Sequence, residues 1–200
     1  MIQLIFILQE KVNRFLVKLK AKFYYRKLFK DFGENTLLFN PIKVIGPENI
    51  IIGRNVRILK NAWISAKPII EKDDCLLEIG DGTSIGHFSH IYSTNEIIIE
   101  KKVLIADKVY ISDNLHSYTD INTPIINQKL KQINSVRIGT GSWIGENVCI
   151  LGSKIGKQCV IGANSVVTKD IPDYCVAAGN PAVIIKKYNI DNKIWEKINK

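Results

Sequence analysis

Between Val136 and Val167 an isoleucine recurs every six residues, at Ile138, Ile144 and Ile150, and again at Ile155 and Ile161. A period of six fits neither the 3.6 residues of a helical turn nor the alternation of a lone strand. A short unit repeated at a fixed interval cannot bury its own apolar face and must stack on its neighbours, as the units of solenoid proteins do. The spacing therefore predicts an all-β solenoid, a parallel β-helix in which successive coils lie on one another.

Complete hexads of this kind begin in pairs at Ile52 and Ile58, Ile79 and Ile85, Ile99 and Ile105, Ile138 and Ile144, and Ile155 and Ile161. The fifth position of all ten is small or β-branched, from Val56 to Ser165, and is expected to point inward at a tight spot. Cys159 holds one of these positions and reads as a packing residue rather than a reactive thiol. Glycine fills the second position in seven of the ten, and Gly or Asn the fourth in six. Both types tolerate positive φ, so each hexad is expected to carry its own corner, giving a triangular prism with an isoleucine ladder inside.

The repeat is interrupted at residues 65–78 and 92–98, is one residue short between Ile150 and Ile155, and is lost over the 24 residues from Ser112 to Ser135. A long loop in a compact repeat is usually either functional or disordered, and this one holds the densest polar chemistry of the chain. Ahead of the repeat, Ile5, Leu8, Val12, Phe15, Leu19 and Phe23 lie three or four apart and predict an amphipathic helix. Asp31-Phe32-Gly33 is read as its stop. Residues 1–30 carry eight Lys/Arg against Glu10 alone, so this segment holds +7 of the net charge of +9. Such a helix can cap the open end of the solenoid, or it can lie on an anionic membrane surface as a peripheral contact. Its leading run Ile2–Leu8 lacks the flanks of a signal peptide and is well short of the ~18 apolar residues of a membrane span. The four cysteines form no C-x-x-C pair, which fits a reducing, cytoplasmic setting. Asp191–Lys200 reads as a short C-terminal helix capped by Asp191. The expected units are thus 1–34, the basic helix; 35–188, the β-helix with its loop 112–135; and 189–200, the C-terminal helix.

The isoleucine hexads, WIGENVCIL, VIGANSVVTKDIP and the ending AAGNPAVIIKKYN together resemble the hexapeptide-repeat acyltransferases. The resemblance spans about Ile52 to Asn189, and it implies a left-handed β-helix, a homotrimer with active sites between neighbouring prisms, and acetyl-coenzyme A as acyl donor. Within that family SDNLHSYTDINTPIINQ is most similar to enzymes that O-acetylate sugars of surface polysaccharide and lipopolysaccharide. The galactoside and maltose acetyltransferases are more distant relatives. Residues 35–188 would then be the catalytic domain.

Acetyl transfer to a sugar hydroxyl needs a base for the hydroxyl proton and a donor for the oxyanion that follows. Imidazole suits the first task because it titrates near neutral pH. Alignment of IADKVYISDNLHS with the family makes His116 the expected base. Asp113 or Asp120 is expected to orient its ring, with Asp120 and Tyr118 at the acceptor. Positions matching the family's coenzyme A groove are Gly145, Ala163, Thr168, Lys169 and Lys186, the lysines supplying charge for phosphates. Trp143 is a groove wall or a contact between chains. The family's basic residue in the NPAxVI segment is Val183 here, and an asparagine of the galactoside enzymes aligns with Gly86. His87 and His90 lack a third histidine at matching spacing, so no metal site is expected. Two other functions stay open, N-acetylation of a nucleotide-linked amino sugar and a non-catalytic trimeric scaffold. Nucleic-acid binding is not expected, since the basic segment carries an apolar stripe.

Overall fold

The computed structural model describes residues 2–68 and 74–198. Its strands are short, mostly two to four residues, and consecutive strands go in rotation to three different parallel sheets. One full rotation is one coil. On the first face Phe32, Ile52, Ile79, Ile99, Ile138 and Ile155 stand in register. The second face aligns Leu38, Ile58, Ile85, Ile105, Ile144 and Ile161, and the third Val44, Ile64, Ile91, Ile111, Ile150 and Val167. All ten predicted hexad isoleucines are 2% exposed or less, and every fifth-position residue is buried beside them. Stacking like on like lets each β-branched side chain pack against its copy one coil away, which a pleated, half-buried surface favours.

The two glycine-rich positions have different causes. All ten fourth positions adopt positive φ, including Phe88, Lys102, Lys108 and Gln158 where the sequence has neither Gly nor Asn. The second-position glycines instead allow close approach between coils. A Cβ on Gly139, for example, would lie 2.5 Å from the main chain of Lys157 in the next coil. The corner expectation therefore holds at position four and is corrected at position two.

Two parts of the structure lie outside the paired hexads. The first coil runs through Asp31–Phe32, Leu37–Leu38 and Lys43–Ile45, so the parallel sheets begin at Asp31 rather than after residue 34. The third-face strands, that of Ile150 apart, also fall outside the paired hexads, because every interruption of the repeat falls after them. All four breaks lie at one edge of the prism, between the third and first faces. The expected insertion at 92–98 is only a bend at Thr94 and Asn95, flanked by strands His90–Ser93 and Glu96–Ile99.

Helix α1 spans Ile2–Lys20 and continues through a π-helical turn, Ala21–Tyr25, and a last turn to Leu28. It stops at extended Phe29, so Asp31-Phe32-Gly33 is not its cap. Val17, Ala21, Tyr25 and Phe29 are buried, and the rings of Tyr25, Phe29 and Phe32 meet at 5.4 to 5.8 Å to plug the first coil. The other end of the chain corrects another expectation. Cys175–Gly179 extends the second face, and Ala182–Asn189 and Ile194–Lys197 add antiparallel strands in place of a C-terminal helix. A ten-residue helix is marginal in isolation, whereas Trp195 as a strand residue pairs with Tyr188, ring centroids 5.4 Å apart.

Candidate functional site

The polar loop is an arm. Strands Asn114–His116 and Leu130–Gln132 pair antiparallel, with His116 opposite Leu130, and project from the irregular edge. His116 is exposed on this arm, as is Tyr118 further out at 68%. Asp120 lies in the tip, where its carboxylate accepts bonds from Thr123 Oγ1 and the Asn122 main-chain N–H. These bonds, that of Thr123 foremost, lower its pKa. Its N–H and carbonyl both bind the Gln128 amide. Asp120 thus shapes the tip turn.

Asp113 corrects an expectation more sharply. It is fully buried where the arm leaves the coil. Its carboxylate accepts the main-chain N–H groups of Thr94 at 2.8 Å, Asn95 at 2.8 Å and Glu96 at 2.9 Å, the Thr94 hydroxyl at 2.9 Å, the Ser93 hydroxyl and the Asn114 amide. The carboxylate faces the bend of the coil below and is occupied there rather than by the His116 ring. Gln132, which the sequence did not single out, completes the joint. Its amide donates to the Asp113 carbonyl at 2.6 Å, and its carbonyl oxygen accepts from Thr94 Oγ1 at 2.9 Å. The arm therefore leaves the coil through a fixed hinge-point of three side chains, Thr94, Asp113 and Gln132.

The expected donor-binding residues divide between two parts of the prism. On the outer second face Leu104, Trp143, Val160, Val176 and Lys186 follow one another in register. Trp143 is half exposed, so this column offers an apolar track with a cation at its end. Gly145 sits at the next corner directly over Ala163; its N–H donates to the Ile161 carbonyl, and a Cβ there would meet the Ala163 nitrogen at 2.6 Å. Thr168 and Lys169 are exposed at a different corner, the irregular edge that also bears the arm. One chain therefore holds the two halves of the predicted groove on separate edges.

Val183 is 44% exposed on the last long strand, beside Lys186 and Lys187. At Gly86 a side chain would run into the main chain of Ala106 and the Asp107 carboxylate, so this position is closed to the asparagine that aligns with it. His90 stacks on Trp63 at 4.2 Å, meets Tyr110 edge-on, and is pushed to a lower pKa by burial. Among the described residues no group of three or more His, Cys, Asp or Glu is placed to hold a metal ion.

Comparison with known proteins bears on the fold that carries these residues. The chain is 43% identical over 124 residues to the putative lipopolysaccharide biosynthesis O-acetyl transferase WbbJ of Escherichia coli, covering 58% of this chain and 63% of that one. It is 38% identical over 134 residues to a probable acetyltransferase of Mycobacterium tuberculosis, covering 66% and 43%. The chain thus spans less than two thirds of the length of either relative. No family model matches. Among solved structures, the fold is shared with AntD, an N-acyltransferase from Bacillus cereus in complex with dTDP and 3-hydroxybutyryl-CoA, with a TM-score of 0.68, 20% identity, and 84% and 87% of the two chains covered. A hexapeptide-repeat-containing acetyltransferase from Vibrio cholerae superposes with a TM-score of 0.57 at 25% identity, over 91% and 87% of the chains.

Proposed function

We propose, from its similarity to O-acetyl transferase and hexapeptide-repeat acetyltransferase relatives, that this chain is a hexapeptide-repeat acyltransferase, an acetyl-coenzyme A-dependent O-acetyltransferase. Its acceptor is a sugar hydroxyl of a surface polysaccharide or lipopolysaccharide precursor, modified in the cytoplasm. The observation that carries this reading is the arm, a two-stranded projection anchored through Asp113 and Gln132 that presents an exposed imidazole away from the core. A scaffold built only to stack has no use for such a joint.

In this reading the coils wind left-handed and three chains associate. The division of the donor-binding residues between two edges supports that assembly, because an edge of one prism set against the arm-bearing edge of the next reunites Trp143, Gly145, Ala163 and Lys186 with Thr168, Lys169 and His116. The catalytic unit is the coil body with its arm. His116 takes the proton of the acceptor hydroxyl as the oxygen attacks the thioester carbonyl. A main-chain N–H of the rigid coil holds the resulting oxyanion. Collapse breaks the carbon–sulfur bond, and the coenzyme A thiolate leaves with the proton returned by the imidazolium. Trp143 and its column guide the pantetheine arm, and Lys169 and Lys186 meet phosphates. Tyr118, in the arm beyond His116, contacts the acceptor.

The second reading, acylation of an amino group on a nucleotide-linked sugar, is favoured by the fold shared with AntD. The higher identity to the O-acetyl transferase relative favours a hydroxyl acceptor. Mass spectrometry of products from paired hydroxyl and amino acceptors separates the two. For the base itself, His116→Ala should lower kcat by ~100-fold or more in a thiol-release assay, with Tm unchanged because the side chain is exposed. Undiminished turnover in that variant removes His116 from the mechanism.

A further inference from the structure

Helix α1 contacts the coil by one side and turns its apolar stripe the other way. Val17 and Ala21 are buried against the body, while Ile5, Leu8, Val12, Phe15, Leu16, Leu19 and Phe23 are 38 to 62% exposed. At ~100° per residue this stripe is centred on roughly the opposite side of the helix from Val17 and Ala21. The aromatic plug of Tyr25, Phe29 and Phe32 closes the prism without it, so the stripe does not serve the cap.

Between the stripe and the coil runs a row of cations. Arg14, Lys18, Lys22 and Arg26 recur every fourth residue and line a cleft of about 530 Å³ whose opposite wall includes Asn35 and Thr36 of the first coil. Among the described residues, Glu34 approaches the row, 3.9 Å from Arg26. Lys11 lies on the same flank of the stripe, and Lys20 lies on the other. An apolar strip bordered by basic side chains on both flanks has the cross-section of a helix that rests in the headgroup region of a bilayer.

We propose that α1 docks the protein on an anionic phospholipid surface, with the Ile5–Phe23 stripe among the acyl chains and lipid phosphates drawn into the cleft of Arg14, Lys18, Lys22 and Arg26. Charge selects this occupant over a second copy of the chain, because packing like helices through this face would bring two rows of cations together. No described helix is long and apolar enough to cross a membrane, so the contact is one of lying on the surface. The proposal is independent of the acyl-transfer reading, since it rests on no residue of the arm or the donor track.

Flotation of the full-length protein with vesicles tests it. Binding should be strong to equimolar phosphatidylglycerol and phosphatidylcholine and weak to phosphatidylcholine alone. Each cation near such a surface contributes roughly a fivefold gain in affinity at low salt, so Arg14→Gln, Lys18→Gln and Lys22→Gln together should weaken binding about a hundredfold. Phe15→Gln with Leu19→Gln should release the protein from both vesicle types. Circular dichroism of both variants should match the parent, since the replaced side chains are exposed, and acetyl transfer to a soluble acceptor should be retained. Absence of flotation with anionic vesicles overturns the proposal. So does parent-like binding by the charge variant, or a loss of oligomer on Phe15→Gln and Leu19→Gln with vesicle binding intact, which would assign the stripe to a second copy.

Discussion

Replacing Asp113 separates two roles that look alike in the sequence. As a partner of the His116 ring, its loss would slow catalysis and leave the fold intact. As the plug at the base of the arm, its loss strands three main-chain donors, the N–H groups of Thr94, Asn95 and Glu96, which it holds at 2.8 to 2.9 Å from a fully buried position. A buried donor left unsatisfied costs about 1 to 3 kcal/mol. Three of them set an upper value near 9 kcal/mol by that principle. Water entering the space vacated by the carboxylate satisfies part of the demand, and the variant no longer bears the desolvation of a buried charge. A net loss of about 3 to 5 kcal/mol follows for Asp113→Ala from these terms. For a chain of this size each kcal/mol moves Tm by ~2 to 4 °C, so the midpoint should drop by roughly 10 °C. Asp113→Asn keeps the shape and one acceptor oxygen and should fall between the two. Differential scanning calorimetry with urea unfolding measures the effect. A midpoint within 2 °C of the parent, by the same scale of about 2 to 4 °C per kcal/mol, together with abolished turnover, would refute the plug and restore Asp113 as the partner of His116.

Two further outcomes follow from local conformation and burial. Phe88 is a half-exposed aromatic at φ 57°, in a fourth position that Asn55, Asn61, Asn147 and Asn164 fill elsewhere. The left-handed region costs a residue like phenylalanine about 1 to 2 kcal/mol, part of which asparagine recovers, so Phe88→Asn should raise Tm by ~2 to 4 °C; a fall would show that the Phe88 ring makes a stabilising contact. His90 is held below its ordinary pKa of 6.5 by burial. The unfolded chain therefore takes up a proton first as pH drops through 6.5, and stability declines below that value while remaining flat above it. Glu100, lowered chiefly by the Thr140 hydroxyl and also by Arg137, contributes only near and below its ordinary 4.5. Thermal midpoints at pH 7.5 and 5.5 should consequently differ, and His90→Gln should narrow the difference; an unchanged gap would assign it to other groups.

How far the sequence could be read depended on whether a residue's reason for being there lay within its own hexad. Ile52 or Ile144 announces itself, because the period, the buried ladder and the corner recur within six residues. Phe32, Leu38 and Val44 build an equivalent coil but break the isoleucine signature, and so passed unnoticed. Of the third-face isoleucines the period exposes Ile150, whereas Ile64, Ile91 and Ile111 are obscured by irregular segments that follow them at the same edge. Ile194–Lys197 has the composition of a helix, yet its partner strand was close enough to claim it. At the site, His116 is legible only through family resemblance, and the structure places it exposed on the arm. The use of Asp113 was illegible, since its partners lie 17 to 20 residues earlier, one coil below. The direction of the α1 stripe was hidden for a similar reason, because amphipathicity gives the width of an apolar face and not which way the rest of the molecule turns it.

Every departure from regular winding falls on one edge of the prism, and the chain re-enters the ladder there in register, at Val136 opposite Ile97. Stacking above and below the arm is therefore indifferent to what the arm contains. On the proposed reading, a lineage of such proteins can trade one acceptor for another by rewriting residues 114–131 alone, leaving the buried ladder and the proposed donor track as a chassis common to all of them.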